Sequence, residues 1–264
     1  MSNLIHDKKI VTWDIETTPL KIEGYMFNIW NQNIPPSFIK EPSTIICAAW
    51  RELGKKKVEI ASIGDDPQAY KDNPHNDRLV VEALYEMIMD ADMLVGHNSR
   101  GFDLKSLQAR GLAHGLGPLP EVPHVDTYLA AKKYFRLASN KLSYAAQMYL
   151  DNAGKDKMVR EDWDQIVYNS SDKHLRKMER YNKQDVRISE ELYEVFRPYI
   201  RDHPNLNMIT DYVGHACPNC GSDEVQKRGH HITRAGRYQR YQCQSCGAWS
   251  HDGKQAKTGK VTLR

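Results

Sequence analysis

Four of the five cysteines stand as two Cys-x-x-Cys pairs, Cys217/Cys220 and Cys243/Cys246, with 22 residues between them. Few folds accommodate that spacing. So short a stretch has too little apolar content to hold itself folded, and two such pairs offer four sulfurs to one tetrahedral ion. Gly221 and Gly247 follow the pairs, and glycine lets backbone amides approach the sulfurs. The first seven residues, Met-Ser-Asn-Leu-Ile-His-Asp, lack the basic start and apolar run of a secretory leader. An intracellular setting is therefore expected, where paired cysteines bind metal rather than form disulfides. One Zn²⁺ is the favoured ion, with iron in a rubredoxin-like site the chemical alternative. Such a site supplies on the order of 10 kcal/mol toward folding a small module. His215, His230, His231 and His251 are not needed as ligands, because four cysteines close the site. Cys47 stands apart in an apolar segment.

The rest of the 264 residues reads as an ordinary globular body. Apolar residues make up 40% and charged residues 27%, which excludes disorder over the whole chain. Mean hydropathy is −0.67, and no apolar run approaches the ~18 residues of a membrane helix. The chain is expected to be soluble, cytoplasmic and without a membrane partner. The net charge of +3 is unevenly spread. From residue 212 onward there are nine Lys/Arg against three Asp/Glu, leaving the preceding part slightly acidic. An acidic body with a basic end is a nucleic-acid hint.

Strands are expected over 9–16, 44–50 and 57–62, with a turn at 52–55. A helix over 77–90, a short buried strand over 93–97, a helix over 102–110 capped by Gly111, and a strand over 122–126 follow. Helices then dominate, over 127–137, 142–150 and 172–195. Residues 19–42 form a long irregular insertion with Tyr25, Phe27, Trp30 and Phe38, aromatics that either stack on bases or fill a satellite core. The expected division is a domain over 1–200, a linker over 201–213, the cysteine module over 214–252 and a basic tail over 253–264. Three antiparallel strands joined to parallel ones give an α/β mixed sheet covered by helices.

Asp14 and Glu16 are two apart on the first strand, so both carboxylates project from one face while Val11, Trp13 and Ile15 face the other. Two like charges held that close repel, and a hard divalent cation relieves both. Asn98 and Asp103 lie between the strand over 93–97 and the next helix, where sites collect in α/β sheets. Tyr181 and Asp185 are one helical turn apart on the long helix. Taken singly, each has a plain reading: a solvated edge strand, a helix N-cap, a solvated helix face. Asn98 is either a turn residue or a substrate contact, and Asp126 either an N-cap or an indirect support of the site. Lys141 is a solvated lysine or a phosphate contact.

Taken together, the segments Trp13-Asp14-Ile15-Glu16-Thr17, His97-Asn98 with Phe102-Asp103, and Tyr181 with Asp185 resemble the DEDD superfamily of 3′→5′ exonucleases. Arg180 stands where the histidine subtype has its histidine, so the resemblance is to the tyrosine subtype, which includes RNase D and the proofreading domains of family A and B DNA polymerases. It covers about residues 8–197 and implies an RNase H-like mixed sheet with helices on both faces. It also implies that Asp14, Glu16, Asp103 and Asp185 hold two Mg²⁺ or Mn²⁺ ions. Tyr181 is implied to orient the attacking water through its hydroxyl. The substrate is implied to be the 3′ end of single-stranded nucleic acid, with DNA favoured over RNA, and a separate replication or repair polymerase is an implied partner.

The cysteine module resembles the zinc ribbons of some transposases and phage nucleases, and the chain's small size fits a phage or mobile-element protein, working in the host cytoplasm if phage-encoded. Arg234, Arg237, Tyr238 and Arg240 combine positive charge with an aromatic ring, the chemistry of backbone neutralisation and base stacking. Protein docking or pure scaffolding is the alternative for this module. For the whole chain, the alternatives are an endonuclease on the same fold and a non-catalytic nucleic-acid-binding adaptor.

Overall fold

The computed structural model describes residues 8–23, 34–151, 157–210, 214–234 and 236–253. Tyr25, Phe27, Trp30 and the basic tail beyond residue 253 lie outside them. The first strand, β1 (Ile10–Thr17), pairs antiparallel with β4 (Ile45–Glu52), which pairs antiparallel with β5 (Glu59–Ser62). On its other side β1 runs parallel to β6 (Met93–Gly96), and β6 parallel to β7 (His124–Asp126). The sheet order is β5-β4-β1-β6-β7. Two short strands, β2 (Lys21–Ile22) and β3 (Ile39–Glu41), pair with each other beside it. The chain thus has the expected RNase H-like mixed sheet.

Among the described residues seven α-helices clothe it: α1 (Pro67–Asp72), α2 (Arg78–Asp90), α3 (Asp103–Ala113), α4 (Thr127–Tyr134), α5 (Leu142–Tyr149), α6 (Arg160–Asn169) and α7 (Asp172–Phe196). The alternation of β1 decides what each face packs against. Val11, Trp13 and Ile15 cluster with Val80, Val81 and Leu84 of α2 and Leu107 of α3. Ile10, on the opposite face, clusters with Leu192, Tyr193 and Phe196 of α7. Asp14 and Glu16 share the parity of Ile10, so they face the long helix. No helix among the described residues is long and apolar enough to cross a membrane.

Two local expectations are corrected. Gly111 does not end α3; it lies buried within the helix, where a Cβ would collide with the ring and hydroxyl of Tyr85. The helix runs to Ala113 with His114 as its C-cap, and Gly115, with φ of 77°, makes the left-handed turn after it. Helix α4 stops at Tyr134, short of residue 137, because Phe135 is extended and stacks on Phe196 at 4.5 Å.

The cysteine module is a three-stranded antiparallel sheet of β8 (Val225–Ile232), β9 (Arg237–Cys243) and β10 (Trp249–His251), in the order β10-β9-β8. Leu206 is buried with Phe196 and Ile200 of the body. The Leu206 amide donates to the Pro218 carbonyl at 2.8 Å, so the chain between body and module is packed against both.

Candidate functional site

Asp14, Glu16 and Asp185 come together at the C-terminal half of β1. One carboxylate oxygen from each lies within 4.8 Å of the others. Strand period two puts the first pair on the α7 face, and α7 lies across β1 and β4 to bring Asp185 against them. The β1–β4 register slips between Glu16 and Thr17, a bulge of the kind that re-aims side chains at a strand end. Tyr181 is one turn before Asp185 on the same helix, half-buried. Carboxylate oxygens converging in this way are the donor set that hard divalent cations take.

Asp103 is placed differently from the other three. It opens α3 and is 3% exposed. Its Oδ1 accepts the amide of Ile15, the residue between Asp14 and Glu16, at 3.0 Å. Burial, with the nearby Asp126 carboxylate adding to it, pushes the Asp103 carboxyl up to about 7. The fourth acid therefore abuts the other three through the backbone of β1 and is not among the converging carboxylates.

Asn182 was not anticipated. It is fully buried, and its side-chain amide donates to Asp14 Oδ2 at 2.8 Å. Its Oδ1 faces Cys47 Sγ at 3.8 Å. Burial first, then the Glu16 carboxylate, holds the Cys47 thiol well above its ordinary range, so Cys47 is a neutral packing group. A signal for Asn182 existed: it falls on the helical repeat of the buried Leu175, Met178, Asp185 and Val186, where an asparagine needs a partner.

The loop after β6 is clamped from β7. Asp126 caps α4, accepting Tyr128 and Leu129 amides at 2.9 and 3.2 Å. It also accepts the Asn98 amide at 2.9 Å and the Arg100 amide at 3.1 Å. Asn98 is exposed with φ of 64°, a left-handed turn position. Lys141 is exposed immediately before α5. Beyond the acids, Thr17, Thr18, Lys21, Arg160, Trp163 and Tyr168 line a cavity of about 650 Å³. Trp163 Nε1 donates to the Thr17 carbonyl at 3.1 Å, and the Lys21 ammonium lies 4.7 Å from the Tyr168 ring centre.

The four cysteines also converge, all sulfurs within 4.8 Å of one another. Cys217 Sγ is 3.7 Å from Cys246 Sγ, and Cys220 Sγ is 3.7 Å from Cys243 Sγ. A tetrahedron with metal–sulfur bonds of about 2.3 Å has edges of about 3.8 Å, so the sulfurs match a single tetrahedral ion. Gly221 and Gly247 take φ of 70° and 82°, and their amides close turns onto the Cys217 and Cys243 carbonyls at 2.8 and 3.1 Å. Arg234, Arg237 and Arg240 are exposed on the hairpin of β8 and β9, and Tyr238 is half-buried there.

Among solved structures, the chain is similar to the family B DNA polymerase from the hyperthermophilic archaeon Pyrobaculum calidifontis, with 17% identity and a TM-score of 0.51. The match covers 73% of this chain and 25% of that polymerase, and at such identity it speaks for the fold alone. No curated protein matches the sequence. A family model described as the RNase H superfamily matches residues 41–197, a span that holds Asp103, Tyr181 and Asp185 and begins after β1. That match covers more than half of the protein, and the chain belongs to the RNase H superfamily.

Proposed function

We propose that this protein is a metal-dependent 3′→5′ exonuclease acting on single-stranded nucleic acid, with DNA favoured over RNA. The family and fold are those of nucleases. The observation that carries the finer reading is the convergence of Asp14 and Glu16 with Asp185, one turn from Tyr181. This is the arrangement the DEDD resemblance implies.

Asp14, Glu16 and Asp185, with Asp103 beside them, would hold two Mg²⁺ or Mn²⁺ ions. Ions bound there supply charge stabilisation at the phosphoryl group and ease deprotonation of an attacking water. The residues of the chain do the rest. Tyr181 orients the water by hydrogen bonding through its hydroxyl. Asn182 holds the Asp14 carboxylate in one orientation. The cavity beyond Thr17 offers the Trp163 and Tyr168 rings to a terminal base and the Lys21 and Arg160 charges to its phosphate. Asn98 stands on the turn beside the site.

The proposed division is a nuclease domain over 1–200, a connector over 201–213, a zinc module over 214–252 and a basic tail over 253–264. Cys217, Cys220, Cys243 and Cys246 hold Zn²⁺, while Arg234, Arg237, Tyr238 and Arg240 contribute charge and a ring toward the strand. The deciding experiment is product analysis on 5′-labelled single-stranded DNA and RNA with Mg²⁺ or Mn²⁺, beside the Asp14→Ala/Glu16→Ala double variant. A ladder shortening from the 3′ end, absent in the variant, is expected. A few internal cuts would replace the proposal with an endonuclease on the same acids. Binding without any metal-dependent cleavage would overturn catalysis altogether.

A further inference from the structure

We propose that the outward face of the C-terminal sheet is a stacking platform for unpaired bases, built from His231, Tyr238, Trp249 and His251 with Arg240 as its cation. The proposal deepens the nucleic-acid reading above and rests on it.

The strand register decides which side chains share a face. Across β8 and β9, His231 pairs with Tyr238; across β9 and β10, His251 pairs with Arg240 and Trp249 with Gln242. Cross-strand partners lie on the same side, and Tyr238, Arg240 and Gln242 are successive alternate residues of β9. All six therefore form one face. The intervening residues Tyr241 and Cys243 are buried on the other face, Tyr241 stacked on His215 at 5.2 Å and Cys243 within the sulfur cluster. Arg237 also belongs to that other face, where its Nη2 lies 2.8 Å from His230 Nδ1, so it lends charge but no stacking surface.

The rings on the outward face are already ordered against one another. His231 and His251 stack with centroids 4.6 Å apart and planes 6° apart. Tyr238 lies 5.6 Å from His251 and 6.3 Å from His231. The Arg240 guanidinium sits 4.8 Å from the Trp249 ring centre, and its Nε donates to the Arg228 carbonyl at 2.9 Å. Pre-ordered rings lose little side-chain entropy when a base is laid on them.

These rings are not spent on the module's own core. Trp249 is 52% exposed, and His231, Arg240 and His251 are also exposed. A module with so few buried residues that leaves its one tryptophan in water presents an interaction surface. Charge selects the occupant. None of these six residues is acidic, and Glu224 and Asp252 are engaged with Ser245 and Tyr241 elsewhere in the module. Aromatic faces interleaved with cations and without acids suit a polyanion whose bases are unstacked, which is single-stranded nucleic acid rather than a duplex.

The test uses the full zinc-loaded chain carrying Asp14→Ala/Glu16→Ala, so that bound strands are not cut. Affinity for oligo(dT), oligo(rU) and a duplex of equal length is read by fluorescence anisotropy. Tyr238→Ala/Trp249→Ala is expected to weaken single-strand binding at least tenfold, given ~1–3 kcal/mol of stacking per base. Duplex binding should change far less. The ring-preserving Tyr238→Phe/Trp249→Phe should stay within about threefold of the parent. Ile232→Ser, on the opposite face, should bind as the parent does. Unchanged single-strand affinity in the alanine variant would overturn the platform. So would equal losses on strand and duplex, or losses in the phenylalanine variant as large as in the alanine one. In the cleavage-competent chain, the alanine variant should raise KM on long strands by a larger factor than on a trinucleotide. A chain that cleaves neither, yet discriminates strand from duplex through these rings, would overturn the nuclease reading and keep the platform.

Discussion

The carboxylate of Asp103 accepts the backbone amide of Ile15 at 3.0 Å, joining the start of α3 to the peptide between the two acids of β1. The reason lies in the sheet. Strand β1 runs past the end of β6, the last paired residues being Thr12 and Val95. The Ile15 amide thus extends beyond that ladder, and a buried amide needs an acceptor. Asp103→Asn keeps an acceptor and removes the charge. Because burial raises this carboxyl to about 7, its protonated form favours the fold, and that contribution is lost as pH rises through about 7. The metal-free Asp103→Asn protein should therefore melt no lower than the parent at pH 8 and show less loss of stability between pH 5 and 8. Its cleavage rate should fall by more than the ~10–100-fold typical of residues that act through a ligand. Scanning calorimetry and turnover on one preparation check both.

Asn182 is the positioning residue of the cluster. Its amide fixes one oxygen of Asp14, and its own burial leaves it no water to turn to. Asn182→Ala should weaken Mn²⁺ binding by ~10–100-fold, read by electron paramagnetic resonance titration. Stability should fall by about 1–3 kcal/mol, since a hydrogen bond from a buried side chain to Asp14 is lost. Asn182→Asp adds a fourth negative charge and should bind metal better than the alanine variant while being less stable without it. Equal metal affinity in parent and alanine variant would rule out the positioning role.

The placement of Asp14, Glu16 and Asp185 was legible because it depends on short-range periods. A strand period of two pairs the first acids, and a helix period of 3.6 aligns Tyr181 with Asp185. What escaped depends on contacts between distant segments. Gly111 reads as a helix end by local rule, and only the approach of Tyr85 shows why glycine stands inside α3. Helix α6 carries Trp163 and Tyr168 to the cavity beyond Thr17, and no local pattern ties those rings to a strand almost 150 residues earlier. The bond from Ile15 to Asp103 likewise follows from how far β1 overshoots its neighbour. The parity of the C-terminal sheet needed the register of β8 and β9, which slips between Lys227 and His230.

Two histidines, the half-buried His124 and the buried His203, should weaken the fold in acid. His124 pairs with Ser99 Oγ at 2.8 Å beside Trp13, and His203 pairs with Tyr193 Oη at 2.9 Å and the Pro204 carbonyl at 2.7 Å. Burial lowers both to about 4. Unfolded histidine titrates near 6.5, so each contributes stability that is complete above about 6.5 and is lost as pH falls toward about 4. The full shift corresponds to about 3 kcal/mol per histidine. Thermal stability of the chain should fall steadily from pH 7 to 4.5, and His124→Gln should flatten that slope by about half. An unchanged slope in His124→Gln, with a native melting profile at pH 7, would assign the acid sensitivity to other groups.

Asn219 stands between the first two cysteines and donates its side-chain amide to the carbonyls of Arg197 at 2.7 Å and Ile200 at 3.0 Å. These carbonyls follow the end of α7, where a helix leaves its last acceptors unsatisfied. Asn207 donates to the Ala216 carbonyl at 2.8 Å and Leu206 to that of Pro218, so the first cysteine turn is stitched to the end of α7. Metal binding by four cysteines supplies folding energy to a small module, so metal removal should act on both sides of the seam. Chelation should raise amide hydrogen exchange across 197–221 and leave 178–188, packed against the sheet, protected. Cleavage of trinucleotides should then persist while long strands are cut poorly. Asn219→Ala should retain four-sulfur metal binding, since no ligand changes, yet lose about 1–3 kcal/mol from two orphaned carbonyls. That loss lowers the melting temperature by roughly 2–4 °C per kcal/mol. Exchange at 197–210 that ignores chelation would show the seam to be independent of the metal. Collapse of protection at 178–188 would show instead that the ion holds the stretch of α7 that carries Tyr181 and Asp185.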